Sequence, residues 1–302
     1  MSHQHTTRLN LSAGLLSVTV ALALVLAKVW ALGQTGSLAI AATLADSAMD
    51  LMMSLGGLAA IVYAAKPADD DHQFGHTSAE DLAALAQSVL ILISAGVIAV
   101  SAMLRLLDNT VSLPDREFQG ISVMVFSIAV TLGLVLWQRH VAAKTGSMVV
   151  KADSLHYLGD LIPNIGAIVA LWVSARFGIG QIDSLVALGA ALLLAVGALR
   201  IGKGAWDALM DRQADPDMIA GISAIAADFP DVHGFHDLKT RVAGSRVFVN
   251  LHIELDGQQS LNAAHAIGAA LRRAITAAYP NTDVLIHKDP LGVEKHPDDP
   301  RP

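Results

Sequence analysis

The sequence predicts an α-helical membrane protein that carries a small α+β domain after its last membrane helix. Of its 302 residues, 53% are hydrophobic and only 16% are charged, which is more apolar than is usual for a soluble globular protein. Long apolar segments continue to about residue 207, and charged residues and prolines become frequent beyond it. We therefore expect a transmembrane domain at residues 1–207, a soluble domain at 208–291 and a disordered tail at 292–302.

Six segments of the first domain are long and apolar enough to cross a hydrocarbon core of about 30 Å, which takes about 20 helical residues. They are residues 11–32, 37–65, 82–107, 118–137, 148–177 and 184–201. Six helices place both termini on the same side of the membrane. Lys and Arg are more frequent in the loops on that side, so the positive-inside rule predicts that both termini are cytoplasmic.

The soluble domain shows the order helix, strand, strand, helix, strand. The corresponding patterns cover residues 216–228, 236–242, 246–255, 260–279 and 283–287. This αββαβ order predicts a two-layer α+β domain. Within the second strand, aliphatic residues alternate with others, so His252 should lie on the face opposite the aliphatic residues.

Composition excludes several classes of function. The chain has no cysteine, so any metal must be held by imidazole and carboxylate groups. The formal charge of −7, without clustered Lys or Arg, argues against a nucleic-acid partner. The HExxH pattern of zinc proteases is absent, and an intramembrane aspartyl protease needs aspartates that face each other from separate helices. The sequence therefore does not indicate an enzyme.

Four ionisable residues lie inside the predicted membrane segments, in two pairs. Asp46 and Asp50 share one face of the second helix, and His156 and Asp160 share one face of the fifth. Each charge there costs at least about 2.5 kcal/mol unless it has a partner. Lys28 falls near the end of its own helix, so we expect no basic partner at this depth. A divalent cation held by four ligands, as in tetrahedral zinc sites, satisfies the requirement; neutral, hydrogen-bonded polar groups between helices are the alternative.

A second candidate cluster lies in the loop between the second and third helices, KPADDDHQFGHTSAED. Asp69, His72 and His76 offer carboxylate and imidazole ligands at spacings that a short loop can bring together. The alternative is a solvated acidic loop that attracts cations loosely, and Asp70 and Asp71 fit that alternative.

A third cluster is expected in the soluble domain, where five potential ligands lie on four elements. They are His236, His252, His265, His287 and Asp289. These residues could meet at one edge of the sheet, although histidines scattered over the surface by chance would give a similar pattern.

The chain resembles the cation diffusion facilitator family, and within it the bacterial zinc and iron efflux branch. The resemblance lies in TGSLAIAATLADSAMD, DDHQFGH, KADSLHYLGD, HDLKTR, NLHIEL and VLIHKDP, in that order. It implies a six-helix membrane domain with a cytoplasmic metallochaperone-like domain, forming a homodimer in the bacterial inner membrane. It assigns Asp46, Asp50, His156 and Asp160 to the transport site, Asp69, His72 and His76 to a loop site, and His236, His252, His265, His287 and Asp289 to a binuclear site that stabilises the dimer.

One departure from the family concerns Ser78. Relatives carry a lysine at this position, which is thought to pair with the aspartate that corresponds to Asp211. Because Ser78 cannot form that salt bridge, the hinge mechanism that the resemblance implies does not carry over to this chain on these residues.

These observations predict efflux of a divalent metal, with Zn²⁺ as substrate and structural ion and protons as the counter-ion. Cd²⁺, Fe²⁺ and Mn²⁺ are alternative substrates, because one imidazole among three carboxylates suits a borderline ion better than Mg²⁺ or Ca²⁺. Metal and protons compete for the same ligands, which would couple their movements. The alternative function is a metal-gated membrane sensor, which needs no ionisable site within the membrane.

Overall fold

The computed structural model describes residues 3–35, 38–108, 120–177 and 182–292. The described part of the predicted tail is limited to Gly292, since residues 293–302 lie outside these ranges. Six long helices precede residue 210 in the described ranges. They are α1 (His3–Thr35), α2 (Leu38–Ala64), α3 (Ser78–Asp108), α4 (Gly120–Thr145), α5 (Met148–Phe177) and α6 (Ile182–Leu209).

Judged on the residues that the structure describes, four of these helices are long and apolar enough to cross a membrane, namely α1, α2, α3 and α6. The chain is therefore a multi-pass membrane protein, and the count of six spans stays a prediction. Large apolar side chains such as Trp30, Val97 and Leu192 point outward, as lipid-facing positions require. Small residues such as Ala84 and Ala198 are fully buried, which lets neighbouring helices approach closely. Helix α5 packs against α2, α3 and α4.

The soluble unit has the predicted order of elements. It contains α7 (Pro216–Ala227), β1 (Gly234–Ala243), β2 (Arg246–Leu255), α8 (Leu261–Ala278) and β3 (Thr282–Pro290). The sheet order is β1-β2-β3, with β1 antiparallel and β3 parallel to β2. The αββαβ prediction is thus confirmed.

The N-termini of both soluble helices are capped by side chains. Asp215 accepts a hydrogen bond from the backbone N–H of Asp217, with Pro216 in the first turn of α7. Ser260 accepts one from the N–H of Ala263 and so starts α8. These caps satisfy N–H groups that have no partner within the helix.

The core of this unit lies on one side of the sheet. The aliphatic residues of β2 are buried there, and Ile222 of α7 with Leu271 and Ile275 of α8 completes the core. Both helices therefore cover the aliphatic face of β2. The opposite face carries His252, as the alternation in the sequence predicts.

A β-bulge interrupts the pairing of β1 with β2. His236 pairs with His252 and Lys239 pairs with Asn250, so two residues of β1 stand opposite one residue of β2. Asp237 lies in the bulge with a left-handed φ of 49°. The bulge therefore changes where the Asp237 side chain points relative to a regular strand.

Candidate metal centres

The first candidate centre is formed by α2 and α5. His156 Nε2 lies 3.0 Å from Asp50 Oδ1 across the two helices. One potential ligand atom from each of Asp50, His156 and Asp160 lies within 4.8 Å of the other two. Asp50 and His156 are partly buried and Asp160 is exposed. The structure thus brings together three of the four residues predicted for the membrane site.

Asp46, the fourth predicted residue, is exposed and does not lie within that group of three. It is one helical turn before Asp50, and four residues of α-helix rise about 6 Å along the axis. The two carboxylates therefore share a face of α2 but differ in depth.

The expectation that these carboxylates have no basic partner at their depth is wrong. Lys28 Nζ donates a hydrogen bond of 2.6 Å to Oγ of Ser47, which lies between Asp46 and Asp50 on α2. Helix α1 continues to Thr35, so Lys28 is about two turns before its end. Its long side chain also lets the ammonium group reach away from its own backbone position.

A cluster of three hydroxyl groups ties the helices together beside this centre. Tyr157 OH and Ser54 Oγ are 2.8 Å apart, and Ser54 Oγ is 2.8 Å from Ser17 Oγ. Tyr157 is almost completely buried and directly follows His156. The cluster joins α1, α2 and α5, so it limits how the ring of His156 and the carboxylate of Asp50 can shift relative to each other.

Helix α5 is also held to α4 by a buried polar pair. Gln138 Nε2 donates a hydrogen bond of 2.6 Å to Asp153 Oδ2, and both residues are buried. Neither residue was predicted as functional from the sequence. The position of Asp153, three residues before His156 in an apolar segment, was the signal that could have identified it.

The second candidate centre is the loop between α2 and α3. Asp69 Oδ1 lies 3.1 Å from His72 Nδ1, and Asp69 Oδ2 lies 3.2 Å from His76 Nε2. The His76 side chain is only 2% exposed, whereas that of Asp69 is 54% exposed. The ring of His76 also packs edge-on against Tyr63, with centroids 4.7 Å apart. All three predicted loop residues therefore meet, with one ligand fixed in the protein and the carboxylate open to solvent.

The carboxylate of Asp69 is stabilised in its ionised form. The backbone N–H of His72 donates a hydrogen bond of 2.7 Å to Asp69 Oδ1, and this bond lowers the pKa of Asp69. The side chains of His72 and His76 lower it further. A negative charge is thus held between two imidazoles near neutral pH.

The third candidate centre lies on the face of the sheet opposite α7 and α8. His236, His252 and His287 stand in register across β1, β2 and β3. Asp289 joins them, because its Oδ2 is 2.9 Å from His252 Nδ1 and 3.4 Å from His236 Nε2, and its Oδ1 is 3.1 Å from His287 Nε2. The structure therefore brings four of the five predicted residues together.

The fifth residue, His265, is exposed on α8. Helix α8 packs on the aliphatic face of the sheet, whereas His252 lies on the other face. The sheet therefore separates His265 from the other four residues within one protomer.

Asp237, which was not predicted from the sequence, also lies beside this cluster. Its Oδ2 lies 3.8 Å from His252 Nε2 and 3.0 Å from Lys239 Nζ. Simple alternation places Asp237 and His236 on opposite faces of β1, and only the bulge brings both toward His252. No signal in the strand pattern indicates that bulge.

The three centres share one chemical property. A neutral imidazole nitrogen and a carboxylate oxygen at about 3 Å attract each other only when a proton lies between them or a cation binds both. Imidazole and carboxylate are ligands of Zn²⁺ and other divalent transition metals, and these ligands bind in their deprotonated forms. The donor sets at all three centres therefore fit such an ion, and protons compete with it.

The chain matches two family models. Residues 14–210 match the model described as "Cation efflux transmembrane domain", and residues 214–291 match "Cation efflux protein, cytoplasmic domain". The cation-efflux pump FieF of Shewanella oneidensis is 42% identical over 278 residues, which cover 92% of this chain and 93% of the relative. FieF of Cronobacter sakazakii is 40% identical over 97% of this chain and 96% of the relative. The metal-bound C-terminal domain of the CzcD transporter from Thermotoga maritima is 34% identical, covering 26% of this chain and 93% of that domain, with a TM-score of 0.25.

Proposed function

Given that this chain belongs to the cation efflux family, we propose that it carries Zn²⁺ out of the cytoplasm in exchange for protons. The observation that carries the proposal is the meeting of Asp50, His156 and Asp160 between two helices of the membrane domain. Ionisable groups at such a depth are costly and are expected where ions pass. We assign the transport site to these three residues and to Asp46, one turn away on α2.

Competition between metal and protons accounts for the exchange. Asp50 Oδ1 and His156 Nε2 are 3.0 Å apart, and either a shared proton or a metal ion can bind to both atoms. Loading Zn²⁺ from one side then displaces protons, and protons arriving from the other side displace Zn²⁺. The membrane potential opposes export of a dication by about 4.6 kcal/mol per 100 mV, and each entering proton returns about 2.3 kcal/mol. Two protons for each Zn²⁺ would therefore cancel the electrical cost.

The domain arrangement that we propose keeps the boundaries expected from sequence. The membrane domain covers residues 1–207 and the metal-binding domain 208–291, with both termini on the cytoplasmic side of a bacterial inner membrane. The loop residues Asp69, His72 and His76 form a cytoplasmic site through which metal approaches. Its exposed carboxylate and buried imidazole support exchange with free ions rather than permanent binding.

The soluble domain is proposed to hold a structural zinc and to support a homodimer. His236, His252, His287 and Asp289 form the part of this site that one protomer supplies. Because α8 lies on the other face of the sheet, His265 can join a metal site of this kind only with a second copy of the chain. We therefore place His265 at the dimer interface.

The test is transport by the purified full-length protein in liposomes. A zinc-sensitive dye and a pH-sensitive dye are trapped together, and zinc is added outside. We expect zinc to enter as protons leave, and both signals to vanish for Asp50→Asn. Zinc entry without a matching proton signal would contradict the exchange, and binding of zinc without entry would favour a metal-gated sensor.

A further inference from the structure

Lys28 is the basic residue that the structure places beside the membrane site. Its Nζ donates a hydrogen bond of 2.6 Å to Oγ of Ser47. Ser47 is buried, follows Asp46 directly and precedes Asp50 by three residues. Asp160 on α5 belongs to the same group of potential ligand atoms as Asp50 and His156. The ammonium group is therefore held on α2 between two of the carboxylates assigned to the site.

The charges of the proposed ligands and of Lys28 together match one divalent ion. When ionised, the ligands Asp46, Asp50 and Asp160 contribute −3 and Lys28 contributes +1, so these four side chains sum to −2. Asp153, which accepts a hydrogen bond from Gln138 on α4, is not one of these ligands and is not counted. One divalent cation brings that sum to zero, whereas without Lys28 the loaded site would keep a net negative charge. In a region of low dielectric constant, such an excess charge binds a cation more tightly and makes its release slower.

We propose that Lys28 is a tethered counter-charge that keeps the affinity of the transport site low enough for metal to be released. The proposal rests on the assignment of Asp46, Asp50, His156 and Asp160 as the transport site. Lys28 does not bind the metal in this account. It acts through the field that its charge adds at the carboxylates, and the hydrogen bond to Ser47 is not needed for that field.

A purely structural role for Lys28 makes a different prediction. If its hydrogen bond to Ser47 only joins α1 to α2, then Lys28→Met and Ser47→Ala should weaken the site similarly, because both remove the bond. If the charge matters, Lys28→Met should tighten metal binding, whereas Lys28→Arg and Ser47→Ala keep a positive charge on α1 and should change it little. The direction of the change therefore separates the two roles.

The experiment measures zinc flux and zinc binding of the full-length protein. In liposomes, we expect Lys28→Met and Lys28→Gln to lower the KM for zinc at least about tenfold and to reduce the maximal rate, since one unit charge is removed near the ion. Lys28→Arg and Ser47→Ala should stay within about twofold of the unchanged protein. Lys144→Met, which removes an exposed charge in the last turn of α4, is the matched control and should have no effect.

Equilibrium binding gives a readout that does not depend on transport. Zinc is titrated in competition with a coloured chelator, and the site lost in Asp50→Ala is obtained by difference. We expect Lys28→Met to bind zinc at least about tenfold more tightly at that site. An unchanged or weaker affinity in both Lys28→Met and Lys28→Gln overturns the proposal. If the unchanged protein moves no zinc, the proposed function fails while this binding result still decides the role of Lys28.

Discussion

The membrane centre and the sheet centre use the same two ligand types but hold them in different ways. In the sheet, His236, His252 and His287 are fixed by backbone hydrogen bonds between paired strands. In the membrane, Asp50 and His156 lie on separate helices that are joined by side chains. Packed helices can shift past one another by an ångström or two, whereas paired strands keep their register. The difference fits the proposed roles, a structural metal in the sheet and a transported one between the helices.

Removing a membrane ligand should have the largest effect. We expect Asp50→Ala to reduce zinc flux in liposomes to the level of protein-free vesicles, because the variant removes the carboxylate that faces His156 across α2 and α5. Asp70→Ala removes an exposed loop carboxylate and should keep normal flux. Near-normal flux in Asp50→Ala would show that the membrane centre is not the path of the ion.

Changing the type of ligand should alter selectivity and leave transport in place. We expect His156→Asp to raise the rate for Mn²⁺ relative to Zn²⁺ by about tenfold, since a site of oxygen ligands alone suits harder ions. The measurement is the ratio of the two rates in the same liposomes. His140→Asp, at an exposed position on α4, is the control and should keep the original ratio. An unchanged ratio in His156→Asp would mean that His156 does not bind the ion.

Zinc bound at the sheet centre should stabilise the soluble domain. It should not be needed for the membrane ligands to bind zinc. We expect the fragment 208–291 to gain about 2.7 kcal/mol when zinc exceeds its Kd a hundredfold. For a domain of this size, that gain raises Tm by about 10–20 °C. His252→Ala should remove most of the gain without opening the core, because His252 faces away from it. The exposed His233→Ala is the control, and melting that does not depend on zinc would exclude this cluster as a binding site.

The carboxylate missed by sequence analysis should have a smaller effect. Asp237 Oδ2 lies 3.8 Å from His252 Nε2, whereas Asp289 Oδ2 lies 2.9 Å from His252 Nδ1. We therefore expect Asp237→Asn to reduce the zinc-induced rise in Tm by less than half, and Asp289→Asn to reduce it by more than half. An equal loss in both variants would place Asp237 among the ligands on the same footing as Asp289.

Protonation of Asp69 in the loop between α2 and α3 should have the smallest effect, confined to the loop itself. The pKa of Asp69 is lowered, so its contribution to loop stability is present above the ordinary value near 3.8 and is lost as pH falls through the lower, folded value. We expect the amide resonance of His72, observed with labelled histidine, to shift below about pH 4 and not between pH 5 and pH 4. Asp69→Asn should abolish that shift, and its persistence would assign it to another group.

The helices and strands could be predicted from the sequence because the patterns that indicate them involve residues close together in the chain. The i, i+4 pairs on α2 and α5 and the alternation in β2 depend only on helical and strand periodicity. Lys28 was misjudged because its depth relative to Asp46 depends on how α1 and α2 are offset. Asp237 was missed because a bulge, which has no fixed sequence signature, reorients it. His265 could not be placed because the face that α8 covers is decided by the core.

Asp289 has a consequence for how the protein is made. The hairpin of β1 and β2 alone brings His236 next to His252, but Asp289, which contacts all three imidazoles, arrives on β3 after α8. During synthesis, domains fold as units once their residues have emerged. A nascent chain that stops before β3 therefore carries only two of the four clustered residues, His236 and His252, and no complete site. Metal retained in this domain would mark chains whose synthesis and folding have passed the third strand.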